Sequence, residues 1–258
     1  MKANNTFFKQ IAKLGLLLMM TLSMSACSKT SSWKEEVLLH DGSKIIVDRI
    51  VGQGGRHEIG QQPPIKEQSL TFMMPKTNES VTWKSGFSAD IGFADFQPLL
   101  LDISSDTAYV LTFPVGCLSY NKWGRPNPSY IVFKYQGGEW VRIKFAELPA
   151  EFKDFNLIIS SPDENAKRLA INGLVSAEKI KEFNTGHRGY IPLEYKTILR
   201  EPLKAGTLGT DGSSVNCEVM VRFEGGWAGP DYVEMTKRHN LQLKKQREQV
   251  KQNATLQK

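Results

Sequence analysis

The sequence predicts a mainly β fold, a sandwich-like domain of antiparallel hairpins with little helix and a basic C-terminal tail of helix-forming composition. Three observations carry this. Short runs of β-branched and aromatic residues alternate with polar ones. The runs come in consecutive pairs. Each pair is joined by a few residues of turn chemistry.

The elements follow in order. Residues 36–40 and 44–50 flank Asp41-Gly42. A type I′ hairpin turn needs positive φ at both central positions, which Asp-Gly tolerates. Residues 69–73 and 79–83 pair across Pro75-Lys-Thr-Asn78, and residues 99–103 and 107–113 pair across Ser104-Ser-Asp106. A fourth hairpin joins 130–135 to 139–143 across Gln136-Gly-Gly138. Later strands are expected at 156–160 and 218–223. Residues 176–183 read as a short helix capped by Ser176. Residues 147–155 are interrupted by Pro149. Residues 232–252, rich in Lys, Gln, Arg and Glu, read as helical with a weak apolar face. Barrel and incomplete-propeller arrangements share this strand spacing. The spacing is uneven and no blade motif recurs, which favours the sandwich.

The front of the chain carries the most specific signal. Lys2, Lys9 and Lys13 precede an apolar run from Leu14 to Leu22 and then Ser23-Met-Ser-Ala-Cys27. A basic start, a short apolar middle and small residues before the cut define a secretory signal. The apolar run is too short for a bilayer core, which takes about 20 residues. The segment resembles a bacterial lipoprotein signal peptide ending in a lipobox, with Met24 where that family usually has leucine. The alternative is an ordinary secretory signal with a cysteine that happens to follow Ala26. The resemblance implies acyl chains on Cys27 and a membrane partner. Ser28 in place of aspartate implies the outer membrane, facing the periplasm, in a Gram-negative envelope. The expected layout is a signal peptide over 1–26, a lipidated spacer over 27–32, a β-rich envelope domain over 33–230 and a basic polar tail over 231–258.

The overall pI of about 9.1 hides an asymmetry. The signal and the tail are basic, whereas residues 30–235 hold 22 basic and 26 acidic side chains. Nucleic-acid binding requires basic charge clustered on a folded face, so that class is excluded. Of three cysteines, acylation of Cys27 leaves Cys117 and Cys217. An even number in an oxidising compartment fits a disulfide, with two separate buried thiols as the alternative.

Few residue patterns suggest chemistry. The histidines His40, His57, His187 and His239 form no H-E-x-x-H pair, so no metal or other cofactor is expected. Within Gly54-Gly-Arg-His-Glu-Ile-Gly60, His57 and Glu58 are the acid–base candidates, set against a plain solvated loop. Gly86-Phe-Ser-Ala-Asp90 lacks the second glycine of a nucleophile elbow. The stretch 114–128 reads as a loop holding Tyr120, Asn121, Lys122, Trp123 and Arg125, a side-chain mix suited to contact with an envelope protein or glycan. Its alternative is a long connection folded back on the core.

Two further stretches add to this. Residues 116–143, GCLSYNKWGRPNPSYIVFKYQGGEWVRI, together with HDGSKIIVDR and GGRHEIG upstream, are similar to a group of proteobacterial lipoproteins with no assigned activity. The resemblance runs from about residue 33 to about residue 203 and implies no catalytic residue. The functional expectation is a membrane-anchored envelope lipoprotein acting as a binding or structural module. The alternatives are a periplasmic hydrolase of an envelope polymer, or a periplasmic inhibitor or immunity lipoprotein.

Overall fold

Alternation in the first two hairpins decides which face of the first sheet is buried. In the computed structural model, which describes residues 29–55, 57–186, 197–203 and 217–256, β1 (Lys29–Leu38) pairs antiparallel with β2 (Lys44–Gln53). β3 (Ile65–Met73) and β4 (Ser80–Ser85) continue the sheet. Val37, Val47, Leu70, Phe72, Val81 and Trp83 all point inward and are fully buried, as the two-residue period of a strand requires. Outward positions carry pairs such as Lys34–Asp48.

After a short hairpin of two-residue strands, β5 (Phe87–Ser88) and β6 (Phe93–Ala94), a second sheet forms from β7 (Phe96–Ser104), β8 (Thr107–Pro114), β9 (Ile131–Gln136) and β10 (Glu139–Ile143). Its strand order is β10-β9-β8-β7, a plain meander. Leu101, Ile103, Val110 and Ile131 meet the inward residues of the first sheet in one core. Gln68 Nε2 donates to the Phe96 carbonyl, and the Phe96 amide donates to Ser85 Oγ, stitching the sheets together at one end. The fold is therefore mainly β with face-to-face antiparallel sheets, and all four expected hairpins are present.

The second sheet is covered on both faces, which is why β7 and β8 read as continuous apolar runs. Leu148, Phe152, Phe155 and Ile159 cover its outer face together with Tyr109, Tyr130 and Ile198. Three short elements complete this region: α2 (Pro162–Leu169), β11 (Leu174–Val175) and α3 (Ala177–Gly186). β11 adds to β1 in parallel, giving the order β11-β1-β2-β3-β4. The chain ends with the hairpin of β12 (Val221–Phe223) and β13 (Gly226–Ala228) and the 27-residue helix α4 (Pro230–Leu256). Helix α1 (Gly116–Lys122) lies between β8 and β9. No helix among the described residues is long and apolar enough to cross a membrane.

Three expectations change. Residues 29–32, expected as spacer, belong to β1, because β2 runs on to Gln53 and pairs with them. Part of the expected loop 114–128 is α1. The expected strand at 156–160 is irregular chain, although Leu157, Ile158 and Ile159 are buried as a strand would bury them. Its backbone bonds go largely to side chains. Ile158 N–H donates to Glu35 Oε2 at 3.1 Å, and its carbonyl accepts from Arg49 Nη1 at 3.2 Å. Asn156 Nδ2 donates to the carbonyls of Leu38 and Leu101, and the Leu101 amide donates to Asn156 Oδ1. Asn184 Nδ2 reaches the Leu157 carbonyl.

Glu35 and Arg49 are 0% and 1% exposed, 2.8 Å apart. Trp33 donates its indole N–H to Glu35 at 2.7 Å and lies under the Arg49 guanidinium at 5.1 Å. Removing one member of a buried ion pair strands the other charge, at a cost of about 3–5 kcal/mol. Total stability of a domain is about 5–15 kcal/mol, so this is a large share. Glu35→Ala is expected to lower the unfolding free energy by that amount in urea titration monitored by tryptophan fluorescence. A loss below about 1 kcal/mol, the level of an exposed pair, contradicts the assignment.

Candidate functional site

Of the residues singled out in the sequence for partner contact, Asn121 and Arg125 face the chain's own segment from Cys217 to Met220. Tyr120 is 2% exposed, so it is withdrawn from any contact surface. Arg125 stacks on it at 5.0 Å and donates to the carbonyls of Cys217 (2.7 Å) and Glu218 (3.0 Å). Asn121 receives the Met220 amide and donates to the Glu218 carbonyl. Cys117 and Cys217 form a disulfide, with an S–S distance of 2.05 Å. Lys122 lies against Asp90 and Asp95 at 3.1 and 3.2 Å. Burial alone depresses this amine, but the two carboxylates outweigh it and hold it above its ordinary value. Trp123 is held between Phe96 and the Arg142 guanidinium. Asn121 and Arg125 are thus engaged by a segment of the same chain, and Lys122 and Trp123 by side chains of the domain itself.

Among the described residues, His57 and Glu58 gather no nucleophile or second carboxylate. The His57 ring is exposed and bonds through Nδ1 to the Gly55 carbonyl, and Glu58 accepts from Gln61. Cys27 and His187 lie outside the described residues.

The structure brings together a different set. The β1–β2 turn, residues 151–156 and α3 enclose a cavity of about 500 Å³. Leu38, Leu39, Phe155, Ala177 and Ile180 form its apolar part, and His40, Asp102, Glu151, Lys153, Asp154 and Lys181 its polar part. Each element has a local cause. Asp41 Oδ1 accepts from the Ser43 amide at 2.8 Å, which fixes the turn, and Gly42 takes φ of +85°. That turn presents His40 to β7. Residues 151–156 are placed by the Asn156 bonds to both sheets, and α3 starts at Ser176, whose hydroxyl accepts the Lys179 amide.

Asp102 is almost fully buried and accepts three N–H groups. They are the His40 amide at 3.0 Å, the Ile103 amide at 2.8 Å and His40 Nδ1 at 2.8 Å. An ionised carboxylate only accepts, so Nδ1 carries the proton in this bond. The bond to Asp102 raises the His40 pKa above its ordinary 6.5, against opposition from burial. Burial pushes the Asp102 carboxyl above its ordinary value, against the bonds from His40 and Ile103. Both members thus hold protons more tightly than free groups. Glu151 is held below its usual range, first by its own backbone and then by Ser104, whose hydroxyl lies 2.9 Å away.

A histidine oriented by a buried carboxylate can move protons. Nucleophilic catalysis also needs a hydroxyl or thiol beside the base. Among the described residues, the cavity lining contains no serine, threonine or cysteine. The set supports proton exchange and the binding of a ligand with apolar and charged parts. No group of three His, Cys, Asp or Glu among the described residues is arranged to hold a metal ion. No signal in the sequence joins His40 to Asp102, which are 62 residues apart.

Compared with protein-family profiles, with curated proteins and with solved structures, the chain matches none.

Because the folded pKa of His40 is raised, its pairing contributes stability fully present below the unfolded value of 6.5 and lost as pH rises through the folded value. The His40 ring protons, followed by NMR, are expected to titrate above 6.5. Asp102→Asn should return the midpoint toward 6.5. A parent midpoint at or below 6.5 contradicts the pairing.

Proposed function

We propose that this chain is a lipid-anchored protein of a bacterial envelope, held by acyl chains on Cys27 at the outer membrane and facing the periplasm. Its β domain is a binding module. The observation that carries the anchor is the run Ser23-Met-Ser-Ala-Cys27 behind a basic start and a short apolar stretch. One acyl chain holds only marginally, so lasting attachment takes the several chains such a cysteine receives.

The cavity beside His40 supports the binding reading. It joins an apolar floor to charges of both signs, which suits a segment of an envelope protein or a glycan bearing charged substituents. β1 separates this cavity from the anchor. It begins two residues after Cys27, and its 10 residues at a rise of about 3.3 Å span about 30 Å before Leu38 lines the cavity. A ligand bound there sits well clear of headgroups.

The His40–Asp102 pair favours a second reading, a hydrolase of an envelope polymer using His40 as acid–base. The two readings part on one incubation with purified peptidoglycan. A hydrolase releases soluble fragments from the parent and none with His40→Ala, whereas a binding module releases none in either case.

The anchor is tested in cells supplied with labelled palmitate. The parent is expected to incorporate label and to sediment with membranes, and Cys27→Ser is expected to do neither. An unlabelled parent, together with a Cys27→Ser variant that sediments as the parent does, overturns the proposal.

A further inference from the structure

We propose that one end of the sandwich, the end carrying Lys29, Ile59, Lys66 and Phe87, docks on the bilayer surface with Ile59 and Phe87 inserted among the lipids. This rests on the acylated Cys27 reading. The geometry then leaves little choice of face. Between the Cys27 and Lys29 Cα atoms the chain can span at most about 7 Å. Lys29 opens β1, so whatever surrounds Lys29 meets the membrane.

Antiparallel pairing defines that neighbourhood. Lys29 pairs with Gln53, the last residue of β2, and Gln53 pairs with Ile65, the first of β3. Ser85, the last residue of β4, pairs with Gln68, and Phe87 follows it. The Lys66 ammonium lies over the Phe87 ring at 5.5 Å. The β2–β3 connection projects from the same end, closed at its base by the Gly54 amide donating to the Pro64 carbonyl.

The tip of that connection is a tight turn. The Gln61 amide donates to the Glu58 carbonyl at 3.1 Å, and Gly60 takes φ of +88°, as the third position of a type II turn requires. This leaves Ile59 at the tip, 107% exposed, the most exposed large apolar side chain among the described residues. Phe87, at the same end, is 49% exposed. Water is a poor solvent for both, and an acyl-chain boundary is a good one. Lys66, with its ammonium over the phenyl ring, is placed for headgroup phosphate.

Charge does not provide the main attraction. Lys29 already lies 3.9 Å from Asp163 and 3.8 Å from Glu164, and Glu58 and Glu67 border the same end. The contact is therefore mainly apolar and only weakly sensitive to salt. The opposite end, with the β1–β2 and β3–β4 turns, faces away.

The test uses the acylated full chain on vesicles of phosphatidylethanolamine and phosphatidylglycerol. Nitroxide labels are placed singly at Ile59→Cys, Phe87→Cys and Lys76→Cys, the last on the β3–β4 turn. Collision with oxygen, which concentrates in lipid, is compared with collision with a water-soluble nickel chelate. Labels at 59 and 87 are expected to favour oxygen and the label at 76 to favour nickel, in low and high salt alike. A chain that floats with the vesicles but leaves labels 59 and 87 open to nickel overturns the docking and spares the anchor. A chain that does not float overturns both. Labels at 59 that broaden each other between copies, with no gain in oxygen collision, identify a second copy as the occupant and overturn the bilayer assignment.

Discussion

The buried charge pair of Glu35 and Arg49 is the constraint on which the rest of the architecture depends. Both groups lie on the inward face of the first sheet, where apolar residues would pack at lower cost. Glu35 also accepts from Trp33 and the Ile158 amide, and Arg49 Nη1 also donates to the Ile158 carbonyl, while Arg49 Nε and Nη2 are buried without a hydrogen-bond partner among the described residues. A buried peptide group without a partner costs free energy comparable to a lost hydrogen bond. Here two side chains from neighbouring strands supply the ladder that residue 158 lacks. The arrangement selects one position for an otherwise irregular segment.

That segment closes one open side of the sandwich. It runs between β1 and β7, bonded to the first through Glu35 and Leu38 and to the second through Leu99 and Leu101. On the opposite side, Trp140 of β10 donates to the Thr82 carbonyl of β4, and Tyr135 donates to Glu79. The sheets are thus joined at both edges by side chains rather than by a continuous ladder, so the fold is a sandwich and not a barrel. The cavity beside His40 is a consequence. Its walls are the segment leading into residue 158, the turn that β1 and β2 present, and α3, which donates from Asn184 to the same segment.

Which features could be read from the chain follows from how far apart the determining groups lie. The hairpins were legible because alternation and turn chemistry sit within a dozen residues. Helix α4 was legible because its helix formers are contiguous. The run Asn-Leu-Ile-Ile-Ser at 156–160 has the composition of a strand and the burial of one, and only Glu35 and Arg49, more than 100 residues away, make it something else. Helix α1 is seven residues long and is held by tertiary bonds from Ser119 and Lys122 to Asp95. The side chains of 120–125 were visible as a polar and aromatic set, but the segment from Cys217 to Met220 that engages Asn121 and Arg125 was not. His40 read as a turn flank and Asp102 as a polar interruption in an apolar strand. Their pairing depends on how the two sheets are stacked, which no local pattern encodes.

On the proposed anchoring, the docking end and the cavity lie along one axis, with β1 as the spacer between them. That axis exists only if residue 158 is fixed in the core as described, because the cavity wall hangs from it. Native-state hydrogen exchange at the Ile158 amide tests this most directly. Bonded to a fully buried carboxylate, that amide should exchange only through global unfolding, as slowly as the amides at the centre of β8. Exchange at the rate of a surface connection would contradict the account.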